Sequence, residues 1–396
     1  MKIVITGASG FVGKRLVPFL HNKDFKLLLV GRNASSLAEQ YSYAATTDYE
    51  SLDSKLKGYD AIIHLATNNN DQSGTIEDFQ HVNVDLLQEI AKLALKHKVK
   101  VFINLSSLHS LTASHKDSYS QSKRQGELLL SYISKLKVIQ LRLPAIYNEN
   151  FRGNLSILNY VPSSLRKSIF LCLSALKSTV HTSKICEKIF EILKNVPAKS
   201  TEILVTDRQF DNPVYHVIKR AMDISFVIFV IVFFGWLLLA SWIAIKLNSP
   251  GSAIFKQTRV GLGGKRFVCY KLRTMKHGTI QASTHEICKD SVTSVGKFLR
   301  RTGIDELPQL WNILRNEMSL IGPRPCLPIQ TAVIEEREAL GVYKVKPGIS
   351  GLAQISNINM SEPLRIARYD ANYIHLQCLL IDVKIILKTI LISFRS

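Results

Sequence analysis

A chain of 396 residues with a formal charge of +20 is long enough for two ordinary domains, each burying its own core. Such a charge suits nucleic acid, anionic lipid or phosphorylated substrates, and the lack of any nucleic-acid-binding motif removes the first class. Six cysteines, Cys172, Cys186, Cys269, Cys288, Cys326 and Cys378, show no C-x-x-C spacing and no nearby histidine cluster, which argues against zinc and for reduced thiols.

The chain opens directly into a β-rich run, residues 2–6, without the charged-then-apolar pattern of a signal peptide, so residue 1 is expected in the cytoplasm. That run feeds Gly7-Ala8-Ser9-Gly10-Phe11-Val12-Gly13 and an amphipathic helix through His21. Between a strand and a helix, Gly7, Gly10 and Gly13 provide the tight turn and the close backbone approach that a dinucleotide pyrophosphate needs. A second strand over 26–30 ends at Gly31-Arg32, where an NAD-preferring domain usually has an acidic residue. Arg32 is suited to a 2′-phosphate, which favours NADP over NAD; the plain alternative is a solvated loop arginine. Strands at 61–66 and 101–105, with helices between, complete the pattern of a doubly wound parallel sheet. Tyr119 and Lys123 then fall on one helix face, where the lysine cation lowers the tyrosine pKa.

Together with Ser107, these pieces resemble the extended short-chain dehydrogenase/reductase family of nucleotide-sugar enzymes over residues 1–208. The resemblance implies that Tyr119 exchanges a proton with a sugar carbonyl or hydroxyl, that Ser107 hydrogen-bonds the same oxygen, and that NADP carries the hydride. This chain departs from the family in a brief segment after Tyr147, a short loop between Ser107 and Tyr119, and the absence of the Thr-Asp-Glu triplet of the 4,6-dehydratases. Reduction or epimerisation at C4 fits better than elimination.

Residues 209–217 are expected to be a linker. From Ile224 to Leu247 the chain is apolar except for Ser225, Ser241 and Lys246, a run of about 24 residues or roughly 36 Å as a helix, enough to cross a bilayer. Lys219, Arg220, Lys246, Lys256 and Arg259 flank it on both sides, which places the basic excess at a membrane surface and argues against a simple crossing. A re-entrant helix that dips into the membrane and returns, turning at Gly235-Trp236, satisfies both constraints.

Farther on, Arg300-Arg301-Thr302-Gly303-Ile304-Asp305-Glu306 sets two adjacent carboxylates behind two arginines. An amphipathic helix is expected over 310–320, stopped by Gly322-Pro323-Arg324-Pro325. One reading of Asp305 is an ordinary helix N-cap, with Glu306 favoured by the dipole. The wider pattern reads otherwise. Lys219-Arg220-Ala221-Met222-Asp223, Ser249-Pro250-Gly251, Phe255-Lys256-Gln257-Thr258-Arg259-Val260-Gly261, Tyr270-Lys271-Leu272-Arg273-Thr274-Met275, the Asp-Glu pair, Gly322-Pro323-Arg324-Pro325 and Val345-Lys346-Pro347-Gly348-Ile349-Ser350-Gly351 follow in order.

In that order they resemble the bacterial sugar transferases, monotopic phosphoglycosyl transferases that start glycan assembly on a polyprenol phosphate. The resemblance implies transfer of a sugar phosphate from a UDP-sugar to undecaprenyl phosphate with release of UMP. Asp305 is then the nucleophile, ionised at neutral pH, and Glu306 holds Mg²⁺. Arg259, Lys271, Arg273, Arg300, Arg301 and Arg324 are the candidate phosphate and uridine contacts. Two departures stand out: Gly235-Trp236 replaces the family's mid-segment Ser-Pro, and Leu352-Ala353-Gln354 follows Gly351 where the family usually carries tryptophan.

The expected architecture is therefore α/β: an N-terminal Rossmann doubly wound parallel sheet at 1–208, then a mainly helical, membrane-associated transferase domain at 218–396. Both catalytic domains are expected on the cytoplasmic face of a bacterial inner membrane. Two alternatives stay open: residues 1–208 act as a non-catalytic nucleotide-binding or homodimerisation module, or the C-terminal half merely anchors a reductase.

Overall fold

The computed structural model describes residues 1–69, 75–111, 117–151, 153–276, 278–279 and 291–393; Cys288 lies outside them. The chain forms two compact units, Met1–Lys167 with Ser178–Asp207, and Ser168–Lys177 with Arg208–Ser396. No disulfide joins the described cysteines.

The first unit holds strands β1 (Lys2–Thr6), β2 (Lys26–Val30), β3 (Ala45–Thr47), β4 (Ala61–His64), β5 (Val101–Ser107), β6 (Val138–Leu143), β7 (Ala145–Tyr147), β8 (Thr179–His181) and β9 (Thr201–Leu204). Seven of them form one parallel sheet in the order β3-β2-β1-β4-β5-β6-β9, and β7 pairs with β8. The strand order reverses between β1 and β4, the crevice where open α/β sheets bind ligands. Short apolar strands such as Lys2–Thr6 are buried on both faces because side chains alternate. Ile3 and Ile5 pack against Leu16, Val17 and Leu20 of helix Gly13–His21, while Val4 packs with Leu87, Ile90 and Ala94 of helix Leu86–Lys96.

The second unit is built on one helix, Pro213–Asn248. Asn212 accepts from Tyr215 N at 3.3 Å and Pro213 occupies the first turn, a strong start signal. The expected linker is therefore ordered structure: a 3₁₀ turn, Gln209–Asp211, leads straight into this helix, and residues 168–177 fold with it. Gln209 Nε2 donates to the Ser174 carbonyl at 2.7 Å, and Asn212 Nδ2 donates to Leu171 O at 3.0 Å. The expected bend at Gly235-Trp236 is also absent. The helix continues through both residues because glycine permits a kink without enforcing one, and no proline follows Pro213 before its end.

Strands β10 (Ile254–Val260) and β11 (Arg266–Leu272) form an antiparallel hairpin, and β12 (Ser319–Ile321) pairs in parallel with β13 (Gly348–Ser350). The helix expected over 310–320 is shorter. Leu310–Leu314 is helical, then Asn316 takes φ of 63°, Glu317 N bonds back to Asn312 O, and the chain enters β12. Helices Ser294–Thr302, Thr331–Ala339, Pro363–Leu376 and Leu379–Ser393 complete the unit.

Candidate active site

In the first unit the glycine turn connects β1 to helix Gly13–His21. Gly7 sits at φ of 70°, and a Cβ there would lie 2.7 Å from Ala66 N. A Cβ on Gly13 would collide with the Ala8 carbonyl, and one on Gly10 would lie 3.0 Å from Gly7 O. These three positions leave no room for a Cβ, which keeps the turn tight and its backbone bare there, at the N-terminus of the helix. Arg32 is exposed just past the end of β2, followed by Asn33, whose side chain caps the next helix through Ser36 N at 3.0 Å.

Helix Ser118–Ser131 starts at Asp117, which accepts from Ser120 N at 2.8 Å, and it presents Tyr119, Lys123 and Glu127 at four-residue spacing. Lys123 is buried, and its Nζ donates to the Leu105 carbonyl at 3.4 Å, on the strand that ends with Ser107. Burial pulls the Lys123 ammonium down to about 8, with the Glu127 carboxylate pulling the other way. Ser107 is buried and its Oγ accepts from His109 N at 3.2 Å; the Tyr119 ring packs edge-on to Phe79 and His109. Two groups here escape a motif reading. Buried His64 shares a 2.9 Å hydrogen bond with Thr6 Oγ1, and burial, then Lys123, press its pKa to about 3, so it stays neutral. Glu127 is clamped by Arg142 Nη2 at 2.7 Å and by Ser110 Oγ at 2.8 Å. Its place one turn beyond Lys123 was the available signal.

In the second unit Asp305 and Glu306 lie on a 3₁₀ turn, Ile304–Gln309. Helix Ser294–Thr302 ends at Gly303, which takes φ of 71°, and the turn begins there with no side-chain cap. Asp305 is therefore not the N-cap of a following helix, and no long helix dipole favours its charge. Burial and the neighbouring Glu306 charge raise its pKa, opposed by Lys271, Arg300 and Arg324. Glu306 differs from its neighbour. Its Oε1 accepts from Lys271 Nζ on β11 at 2.7 Å and from Arg324 Nη2 at 2.6 Å. Burial would raise its pKa, but Arg324 and Lys271 outweigh that and pull it down to about 2.

Arg259 on β10 joins the group. Its Nη1 donates to Pro325 O at 3.0 Å, its Nη2 to Gln257 Oε1 at 2.5 Å, and its Nε is buried without a partner among the described residues. With Lys271, Arg324, Cys269 and Gln309 it lines a small recess. An unpartnered guanidinium N–H beside such a recess is what an anionic ligand would satisfy. The recess is shaped by glycines: a Cβ on Gly322 would collide with the Lys346 carbonyl, while Gly348 N donates to Pro323 O at 3.0 Å. Thus the Gly-Pro-Arg-Pro and Lys-Pro-Gly segments interlock, and the pair delivers Arg324.

The other candidate cations are placed differently. Arg300 Nε donates to Thr274 Oγ1 at 2.9 Å while its charge acts on Asp305. Arg273 is buried and holds the carbonyls of Ser249, at 2.7 Å, and Pro250. Arg301 is exposed in the last turn of helix Ser294–Thr302. Three residues read as membrane-surface cations face protein instead. Arg259 lies in the recess, Lys219 Nζ pairs with Asp382 at 2.8 Å, and Arg220 Nη1 caps the Ile313 carbonyl at 2.7 Å. Asp223, from the same motif, accepts from Leu320 N at 2.8 Å and Ser319 Oγ at 3.0 Å, tying the long helix to β12.

Among the described residues no cluster of three or more His, Cys, Asp or Glu side chains exists to cage a metal. The donor set still fits Mg²⁺, which is commonly held by one or two carboxylates plus substrate phosphates. Both cations sit on Glu306 Oε1, which leaves Oε2 for such a bond. The glycine cradle likewise fits a dinucleotide.

Comparison with known proteins finds matches for both halves of the chain. The family model described as bacterial sugar transferase matches residues 214–396, and that of the NAD dependent epimerase/dehydratase family matches residues 3–169. The chain is similar to a UDP-glucose:undecaprenyl-phosphate glucose-1-phosphate transferase of Caulobacter vibrioides, 40% identical over 43% of this chain and 68% of that protein. It also resembles a UDP-N-acetylgalactosamine-undecaprenyl-phosphate N-acetylgalactosaminephosphotransferase of Aeromonas hydrophila, 40% identical over 45% of this chain but only 44% of the relative. Among solved structures, a UDP-N-acetylglucosamine 4-epimerase from Bacillus cereus aligns with 52% of this chain and 78% of its own at 18% identity and a TM-score of 0.42. Through its C-terminal half the chain belongs to the bacterial sugar transferase family, while its N-terminal half has a Rossmann sheet and is similar to the NAD dependent epimerase/dehydratase family over residues 3–169.

Proposed function

We propose that the second unit transfers a sugar phosphate from a UDP-sugar to undecaprenyl phosphate, and that the first unit, an NADP-dependent 4-keto reductase or epimerase, prepares that UDP-sugar. The observation that carries the transferase reading is the division of labour between adjacent carboxylates. Glu306 is locked as an anion by Lys271 and Arg324, while Asp305, with no cation in hydrogen-bonding contact among the described residues, is raised in pKa and left as a nucleophile.

In the proposed reaction an Asp305 carboxylate oxygen attacks the β-phosphorus of the donor. The new O–P bond forms as the bond from that phosphorus to the bridging oxygen breaks, and UMP leaves with the electron pair. An oxygen of undecaprenyl phosphate then attacks the same phosphorus, releasing Asp305 and forming the lipid-linked diphosphosugar. Arg259 and Arg324 orient the phosphates and balance their charge. Mg²⁺, held by Glu306 and the donor phosphates, would add charge neutralisation.

In the first unit Tyr119 exchanges the proton at the sugar C4 oxygen, with Ser107 hydrogen-bonding that oxygen and Lys123 favouring the tyrosinate. NADPH would supply the hydride to the 4-keto carbon and leave as NADP⁺. Working on the cytoplasmic face of the inner membrane, the two units would hand product to acceptor site at high local concentration and begin a surface polysaccharide.

The test is to supply the full-length protein in membrane vesicles with UDP-sugars, UDP-4-keto sugars and NADPH. UMP release and NADPH oxidation are both expected. Tyr119→Phe should lower oxidation by about a hundredfold or more while leaving UMP release intact. Oxidation equal to wild type in that variant would remove Tyr119 from the chemistry, and none in either protein would make residues 1–208 a binding or dimerisation module.

Arg32 makes a separate prediction. Titrating the protein by quenching of its intrinsic fluorescence should show tighter binding of NADPH than NADH, and Arg32→Asp should reverse the order, each change being about tenfold or more. Equal affinities in the unaltered protein would remove Arg32 from the cofactor site.

The pH dependence of transfer follows from the opposed terms on Asp305. Only its ionised form attacks, so the rate should rise with pH through an acidic limb shifted upward from that of an ordinary aspartate. Arg324 lowers the Asp305 pKa, so Arg324→Gln should move the limb to higher pH in addition to lowering the rate. A limb that stays in place would mean that Asp305 does not set it.

A further inference from the structure

The recess beside the carboxylates holds two polar groups that the protein itself leaves unused. Lys271 Nζ and Arg324 Nη2 are committed, both donating to Glu306 Oε1. Arg259 is fixed by Nη1 on the Pro325 carbonyl and by Nη2 on Gln257 Oε1, and its buried Nε keeps an N–H with no partner among the described residues. Gln309 also lines the recess and is 3% exposed, and its carboxamide likewise makes no hydrogen bond among the described residues. Buried amide and guanidinium groups are nearly always paired, because an unmet donor has forfeited its bonds to water. Two such groups lining one recess point to an occupant that both can bond.

Size and charge define that occupant. The recess has about 10 Å³ of room, close to that of a single water-sized group, so it admits one oxygen and no ring. Its wall is closed on one side by backbone, where a Cβ on Gly348 would collide with Gly322 N. Arg259 Nε can only donate, so the occupant accepts. Arg259, Lys271 and Arg324 outnumber the two carboxylates of the neighbouring turn, so the occupant is anionic, and the Gln309 carboxamide meets it with its NH₂. Gln309 closes the same turn, Ile304–Gln309, that carries Asp305, so one short element sets both the recess and the nucleophile.

Resting on the transferase reading, we infer that Arg259 Nε–H and the Gln309 carboxamide form an oxyanion hole for one non-bridging oxygen of the sugar-bearing β-phosphoryl group. While an Asp305 oxygen bonds to that phosphorus and the bond to the bridging oxygen of UMP breaks, negative charge is carried by the non-bridging oxygens of the group in transit. Both donors bond one of these oxygens, and neither gains or loses a proton. The same hole serves the second step, in which undecaprenyl phosphate displaces Asp305. Arg259 is held in place by its two other hydrogen bonds before a donor arrives, so the hole needs no reorganisation at the moment of reaction. Gln309 is then a catalytic residue, in contact with the group that is transferred.

The test uses the full-length protein in vesicles containing undecaprenyl phosphate, with Mg²⁺ and the UDP-sugar that gives the fastest UMP release. Gln309→Leu keeps the bulk of the side chain and removes its N–H. It is expected to lower kcat by about a hundredfold or more and to change KM for the UDP-sugar no more than a few fold, the signature of a bond made in the transition state. Because the carboxamide has no protein partner, Tm should stay the same or rise. A kcat within about threefold of the parent, or a loss confined to KM, overturns the proposal. A second measurement does not depend on how much of a variant folds. A UDP-sugar with sulfur in place of one non-bridging β-oxygen exists as two diastereomers, and a hole of one-oxygen size should reject the one that directs sulfur into it. Gln309→Ala widens the hole and should narrow that preference by about tenfold or more. A preference set by the metal ion alone would not respond to Gln309, so equal use of the diastereomers by the unaltered protein, or an unchanged preference in Gln309→Ala, overturns the hole. Absent UMP release from the unaltered protein rejects the transferase reading and this site with it, whereas normal release by Gln309→Leu rejects the hole alone.

Discussion

Asp305→Asn is expected to lower UMP release by about 10⁴-fold or more, the loss typical when a covalent nucleophile is removed. The substitution keeps shape and removes the like-charge repulsion from Glu306 that raises the Asp305 pKa, so the variant should fold at least as well as the parent. The loss would thus be chemical rather than structural. A second readout makes the role specific. With a UDP-sugar and no lipid acceptor, the unaltered protein should accumulate a phosphosugar ester on the peptide containing Asp305, detected by mass spectrometry and cleaved by hydroxylamine, and Asp305→Asn should carry none. Glu306→Gln should also be severely impaired, for a different reason: it leaves Lys271 and Arg324 facing a neutral group and removes the fixed anion between them. It should still have a nucleophile, so a slow adduct is expected there. Release within about tenfold of normal by Asp305→Asn would reject the covalent route, and an absent adduct together with absent release in the unaltered protein would reduce the C-terminal half to an anchor.

The parts of this architecture that are periodic or stereochemically forced were legible in the chain itself. Short continuously apolar strands and the Gly7, Gly10 and Gly13 turn point to a Rossmann sheet because the glycines stand where a Cβ would strike neighbouring backbone. The carboxylate pair and Arg324 could be located because glycines and prolines mark the turns that present them. What was not legible is partner choice over long sequence separation. Lys219 and Arg220 look like surface cations beside an apolar run, yet one pairs with Asp382 and the other caps Ile313. Arg273 sits in the same motif as Lys271, but two residues further on it faces a backbone turn instead of Glu306. Local signals also misled where tertiary packing decides the outcome. Leu310, Ile313 and Leu314 have helical spacing, but the chain turns at Asn316 to supply a strand for Gly348–Ser350.

Arg337→Met is expected to destabilise the second unit by about 3–5 kcal/mol, the cost of leaving one partner of a fully buried ion pair uncompensated. Arg337 and Asp370 are only 1% and 2% exposed, with Nη2 and Nε donating to one carboxylate oxygen at 2.7 and 3.0 Å. For a unit of this size the loss should lower Tm by roughly 6–20 °C, measurable by calorimetry. Replacing both partners, as in Arg337→Met with Asp370→Leu, should recover most of that stability, because an apolar pair of similar volume needs no compensating charge. Transfer should not recover with it. Arg337 Nη1 also donates to the backbone carbonyl of Arg324 at 2.8 Å, which fixes the loop that delivers the Arg324 side chain to Glu306 and the recess. Arg337 is in this sense a positioning residue, and its signature is the acidic limb of the pH–rate profile. If the Arg324 guanidinium drifts from the carboxylates, the Asp305 pKa rises and the limb moves to higher pH, in the direction expected for Arg324→Gln. A double variant that is stable, active and unshifted in pH would confine Arg337 to holding the fold together.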